Sequence, residues 1–164
     1  MVKTPGRISL VGQREHRTKE THLRPHSAID PDTHRAYEET HYRVFGDVPM
    51  TLHIGVANPL LADLHRAFRV NCSAFVTAVN PFSTLTDETT NARRQTTLAD
   101  ELSHSGLKFI DGMGEHPSGK WPGEPSFLIL GLPLDATKRL GIQHEQNAIV
   151  WCSENAVPQL FLLR

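Results

Sequence analysis

Two short segments leave this chain few architectures. Ala74–Val79 is apolar except at Thr77, and Phe127–Leu130 is apolar throughout. Side chains alternate between the two faces of a strand, so a strand with no polar face needs cover on both sides. Such strands belong in the middle of a sheet, and the other segments are read around them.

From Ala74 onward the periodicities predict strand, helix, strand, strand, helix, strand, strand. Thr86-Asp87-Glu88 opens the first helix with a cap and acids in the first turn, where they complement the helix dipole. Its inner stripe is Ala92, Gln95, Leu98, Ala99 and Leu102, and Gly106 ends it. The second helix runs from Pro133 to about His144, with Leu134, Thr137, Leu140 and Ile142 inward. Residues 107–110, 148–151 and 159–163 supply further strands, and 112–125, with four Gly and three Pro, reads as a long loop. Ahead of these, Asp30-Pro31 starts a short helix and residues 42–45 and 50–54 form two strands. Asn58-Pro59 caps a helix with its stripe at Leu60, Leu61, Leu64, Ala67 and Phe68.

The expectation is therefore an α+β domain over residues 29–164. It has a single mixed β-sheet, with ferredoxin-like strand-helix-strand-strand-helix-strand order in its C-terminal part and helices mainly on one face. A three-layer α/β sheet is the alternative, because several strands are apolar on both sides.

Charge divides the chain. Residues 1–28 carry six basic and two acidic side chains, and the rest carries 11 basic and 16 acidic, so the tail stands at +4 and the body at −5. The tail reads as a basic, disordered extension. An acidic body argues against a broad nucleic-acid surface, leaving the tail as the one place for such contacts. No run approaches the 18 or more apolar residues of a membrane helix, and the first residues lack the apolar core of a secretory signal. Cys72 and Cys152 fall in or beside apolar segments, as reduced buried thiols of a cytoplasmic protein do.

Three polar signatures stand at the ends of apolar strands: Thr77–Ser83, Gly123–Phe127 and Gln146–Trp151. Glu124 is the leading carboxylate, on the same strand face as Ser126 by period-two alternation. Shielded from water, it would hold its proton to higher pH, as a general acid or base requires. It reads equally as a loop carboxylate accepting backbone N–H bonds. His116 and Trp121 give the glycine-rich loop a titratable group and an aromatic anchor. Asn80, Gln146 and Asn147 offer amide donors and acceptors suited to orienting a ligand, and Asn80 before Pro81 also reads as a turn residue. Arg93 and Arg94 read first as a solvated helix face, with an anion clamp as the alternative.

Other chemistries find no support in the sequence. None of the ten histidines has zinc-ligand spacing, and no metal site is expected. Phosphate-binding, dinucleotide and nucleophile-elbow motifs are absent, and Cys152 has no activating neighbour. No cofactor is implied. Two function classes remain. One is a binding protein for a small polar ligand, or an enzyme using Glu124 and His116 with Asn80, Trp121, Ser126, Gln146 and Asn147 around the ligand. The other is a non-enzymatic interaction or regulatory module in which these residues only fix loops.

Several of the same pieces carry a resemblance: Phe75–Pro81, Asn91-Ala92-Arg93, Gly114–Trp121, Glu124-Pro125-Ser126 and Gln146–Trp151. Through them, residues from about Tyr37 to Leu163 resemble an uncharacterised bacterial family, domain of unknown function 3293. The resemblance implies domain limits and brings no activity with it.

Overall fold

The computed structural model describes residues 27–164, so the expectation for residues 1–28 lies outside the described residues except at Ser27 and Ala28. The elements are α1 (Pro31–Glu39), β1 (His41–Val44), β2 (Met50–Leu52), α2 (Pro59–Phe68), β3 (Ser73–Val76), α3 (Glu88–His104), β4 (Phe109–Glu115), β5 (Glu124–Leu130), α4 (Leu134–Gln143), β6 (Ala148–Cys152) and β7 (Pro158–Leu162).

Local chemistry starts the helices where the sequence placed them. Asp30 accepts hydrogen bonds from the amides of Asp32 and Thr33, with Pro31 in the first turn of α1. Asn58 caps α2 at Leu60 and Leu61, and Asp87 caps α3 at Thr90. Each cap gives orphan first-turn donors a partner.

The strands form one seven-stranded sheet in the order β2-β1-β4-β5-β3-β6-β7. The α+β class holds, but every neighbouring pair is antiparallel, so the sheet is not mixed. The cause lies in the crossovers. β3-α3-β4 and β5-α4-β6 each return two places away, and a strand of opposite direction fills the gap.

Alternation sorts the side chains of the central strands between two cores. Phe75, Leu128, Leu130, Val150 and Cys152 face Leu61 of α2. Ala74, Val76, Phe127, Ile129 and Ile149 face Leu98 and Leu102 of α3, with Leu134 and Leu140 of α4 beside them. Helices therefore cover both faces rather than mainly one, because strands without a polar face expose apolar area on either side. Two helix stripes rotate accordingly. Leu61 and His65 are the buried residues of α2, while Leu60 and Phe68 are exposed. In α4, Thr137 and Gly141 turn inward and Ile142 is exposed.

The glycine-rich stretch also differs from expectation. Gly112 and Gly114 are not loop residues; they continue β4, opposite Val44 and Tyr42 of β1. Glycine here serves close approach: a Cβ on Gly112 would lie 2.4 Å from the Arg43 carbonyl oxygen and 2.9 Å from the Phe75 ring. The connection that remains, residues 116–123, is eight residues long.

Gly112→Ala is expected to destabilise the fold by about 1–3 kcal/mol, the usual cost of overpacking a tight interior. A lowered urea midpoint at unchanged m-value would show it; a neutral result would mean that β1 and β4 can separate locally.

Candidate functional site

Sheet order gathers the three polar signatures. β3 lies between β5 and β6 and runs antiparallel to both, so its C-terminal end adjoins their N-terminal ends. Thr77–Ser83 leaves β3 there, Glu124 begins β5, and Gln146-Asn147 leads into β6. The end of β4 and the start of β1 lie at the same end of the sheet, through the pairs Gly114–Glu124 and His41–Glu115. α1, which leads into β1, stands over this end.

Between α1 and the sheet is a cavity of about 350 Å³. All seven residues selected from the sequence line it: Asn80, Glu124, Ser126, Gln146 and Asn147 from the three signatures, and His116 and Trp121 from the loop. Its apolar wall includes Phe75, Tyr42, Val150 and Leu160. It occupies the half of this sheet face that α2 leaves uncovered.

Glu124 projects into the cavity from the first position of β5. Asn80 Nδ2 donates to its Oε1 at 2.8 Å, and among the described residues no donor reaches Oε2. Burial raises the carboxyl above the ordinary glutamate range, opposed by the Asn80 hydrogen bond, which favours the ionised form. The loop-carboxylate reading does not hold, since the partner is a side-chain amide and not loop backbone.

Asn80 is fixed in turn by Asn91 of α3. The Asn80 amide donates to Asn91 Oδ1 at 2.9 Å, and Asn91 Nδ2 returns a bond to Asn80 Oδ1 at 2.8 Å. The Thr86 amide also reaches Asn80 Oδ1, at 3.1 Å. This reciprocal pair holds Asn80 in the left-handed region, at φ +48°, which asparagine tolerates better than most residues. Asn80 is thus a turn residue and a cavity residue at once.

On the far wall, Asn147 Nδ2 donates to Tyr37 Oη and Ser83 Oγ, each at 3.1 Å. Tyr37 and Ser83 also bond each other. The hydroxyl of Tyr42 donates to the Tyr37 carbonyl at 2.6 Å, and burial raises this phenol so that it stays a neutral donor. α1 has no buried residue of its own; these hydrogen bonds and Glu39 hold it over the cavity. The Ser118 amide donates to His116 Nδ1 at 3.1 Å, which assigns the ring proton to Nε2, 3.2 Å from Glu39 Oε2. His116 stands edge-on to Trp121, with ring centroids 4.8 Å apart, and Trp121 is 51% exposed at the mouth. Gln146 and Ser126 are more structural: Gln146 donates to the carbonyls of Val79 and His144, and Ser126 to that of Glu124.

Sequence reasoning missed Tyr37, Tyr42 and Ser83 as wall residues, and Asn91 as support. Asn91 had a signal, lying four and seven residues before Gln95 and Leu98 on the inner stripe of α3. Arg94 is not a solvated residue: its Nε donates to the Ala78 carbonyl at 2.6 Å and its Nη2 to that of His144 at 2.8 Å. The thiols lie outside the site. Cys72 and Cys152 are free and buried, and burial pushes Cys152 up to about 12, which keeps it protonated. His65, buried in α2 with Nε2 2.8 Å from Ser73 Oγ, is lowered by burial and stays neutral. Among the described residues no group of three His, Cys, Asp or Glu side chains is placed to hold a metal ion, and no helix is long and apolar enough to cross a membrane.

Residues 76–149 match the model of a family described as a protein of unknown function, DUF3293, which bears out the family read from the motifs over that segment. The matched segment runs from the end of β3 into β6 and contains Asn80, Asn91, Glu124 and Asn147; α1 with Tyr37 lies outside it. No curated protein and no solved structure matches the chain.

Because burial raises Glu124 in the folded chain, the folded state binds that proton at higher pH than the unfolded state does. Its contribution favours folding while the carboxyl is protonated. That contribution is lost as pH rises from the ordinary carboxylate range through the raised value. Glu124→Gln, whose amide oxygen can still accept from Asn80, is expected to melt a few degrees above wild type near pH 8, at about 2–4 °C per kcal/mol for a chain of this size. The gain should vanish near pH 4. Thermal melts at both pH values test this, and equal melting points at the higher pH would contradict it.

Proposed function

We propose that this chain binds a small molecule in the cavity beneath α1 and that Glu124 is the central polar contact. The observation that supports this most directly is a half-buried carboxylate with one oxygen bonded to Asn80 and the other lacking a protein donor among the described residues. Leaving a charge short of partners is costly in a domain interior, and a ligand that supplies the missing donor would offset that cost. The cavity falls within the size range of small-molecule sites and has their usual composition, an apolar wall with a few convergent polar groups.

The same carboxylate gives the site acid–base capacity. A raised glutamate holds its proton closer to neutrality and exchanges it more readily with a bound substrate. In an enzymatic reading Glu124 moves the proton, Asn80 orients it, and His116, paired with Glu39, is a second titratable group at the cavity wall. Asn147, Tyr37 and Ser83 shape the opposite side. We place the protein in the cytoplasm, on the strength of its two free, buried cysteines.

A thermal-shift screen against amines, amino acids, nucleosides, sugars and organic acids tests the reading. A ligand at 100 times its Kd adds about 2.7 kcal/mol to stability and raises Tm by several degrees. The shift should shrink in Glu124→Gln and in Ala36→Phe, which fills the cavity from α1. Absence of any hit, with both variants folded, would retire the ligand site and favour the interaction module.

A further inference from the structure

The charges and aromatic groups around the cavity discriminate among ligand classes. Among the described residues that line it, Glu124 and Asp32 carry carboxylates, and neither lysine nor arginine is present. Two arginines come near without lining the cavity. Arg94 spends its guanidinium on the Ala78 and His144 carbonyls and on Glu145, 3.4 Å away. Arg164 lies over the Phe82 ring, 4.4 Å from its centroid, and reaches Asn147 Oδ1 at 3.4 Å. The N-terminal amides of α1, the other nearby source of positive potential, are already capped by Asp30. An anionic ligand would meet Glu124 with no lysine or arginine on the cavity wall to receive it. A neutral ligand would leave the half-buried charge in place. A cation would neutralise it.

The rest of the wall suits the body of such a ligand. Tyr42 and Phe75 meet edge to face at 5.3 Å and form an aromatic surface beside Glu124, and Trp121 stands at the mouth. Aromatic faces attract cations as well as apolar groups.

Resting on the ligand-binding reading above, we propose that the cavity takes a small primary amine with an apolar or aromatic body, its ammonium group paired with Glu124 Oε2. The other titratable groups lining the cavity are Asp32 and Tyr37 of α1, Tyr42 of β1 and His116 of the loop. Protonation of Glu124 removes the partner charge, so amine binding weakens as pH falls through its raised carboxyl range.

The test is a chemical-shift titration of the full chain with three probes of one shape: phenethylamine, 2-phenylethanol and 3-phenylpropanoate. The amine is expected to bind at least about tenfold more tightly than the alcohol, a difference of about 1.4 kcal/mol, and the acid more weakly than either. Lowering the pH should erase the amine's advantage in the wild type, a readout that needs no variant. Folded Glu124→Gln should show no preference at any pH. Tighter binding of the alcohol or the acid, or an amine preference that survives in Glu124→Gln, overturns the amine assignment while leaving the ligand-binding reading intact. No binding by any of the three overturns the assignment, and overturns that reading too if the wider thermal-shift screen is also silent.

Discussion

Burial of β3 and β5 on both faces is the constraint on which the rest of the structure depends. Neither β3 nor the Phe127–Leu130 part of β5 has a polar side, so each must meet apolar cover above and below. α3 and α4 supply that cover on one face. On the other, α2 covers the half that holds Leu128, Leu130 and Cys152. The remaining half ends in Ser126 and Glu124, and the polar-anchored α1 spans it without burying a residue. The cavity is therefore a product of incomplete cover: one sheet face is closed by apolar packing at one end and by hydrogen bonds at the other.

That division bears on stability and on function together. Apolar contacts tolerate little rearrangement, as the fit of Phe75 over Gly112 shows. Hydrogen bonds such as those joining Tyr37, Ser83 and Asn147 have a small net worth in water and can be exchanged for bonds to a ligand. The Asn80–Asn91 pair is the firm exception. It ends β3, starts the path to α3 and orients the amide that holds Glu124, so a core helix and the site carboxylate share one fixed point. A carboxylate kept partly dry at such a point costs stability, which fits a role beyond folding.

Much of the fold was legible in the residues. Asp30, Asn58 and Asp87 marked helix starts because a capping side chain acts on its own next few amides, and such chemistry is local. The central strands were legible because a short run with no polar face fits a strand covered on both sides. Errors arose where a distant partner decided. Gly112 and Gly114 looked like loop residues because glycine is weak in isolated strands, yet β1 and Phe75 leave no room there for a side chain. His65 replaced Phe68 as an inward residue of α2 because Ser73, on a neighbouring strand, supplies its hydrogen bond. Arg94 looked solvated because only the folded chain brings the Ala78 and His144 carbonyls to it.

The site divides in the same way. By itself the sequence determined the parts: three polar signatures at strand ends, Glu124 beside Ser126 on one face, and His116 and Trp121 on one connection. Each follows from alternation or from local turn chemistry. Only the tertiary structure decided that these parts meet. It did so by placing β3 between β5 and β6, so that one strand's end lies beside two others' beginnings, and by laying α1 across them with Tyr37 reaching Asn147. Strand order is set by which apolar faces find cover in three dimensions, and nothing local to Asn80, Glu124 or Asn147 records that choice.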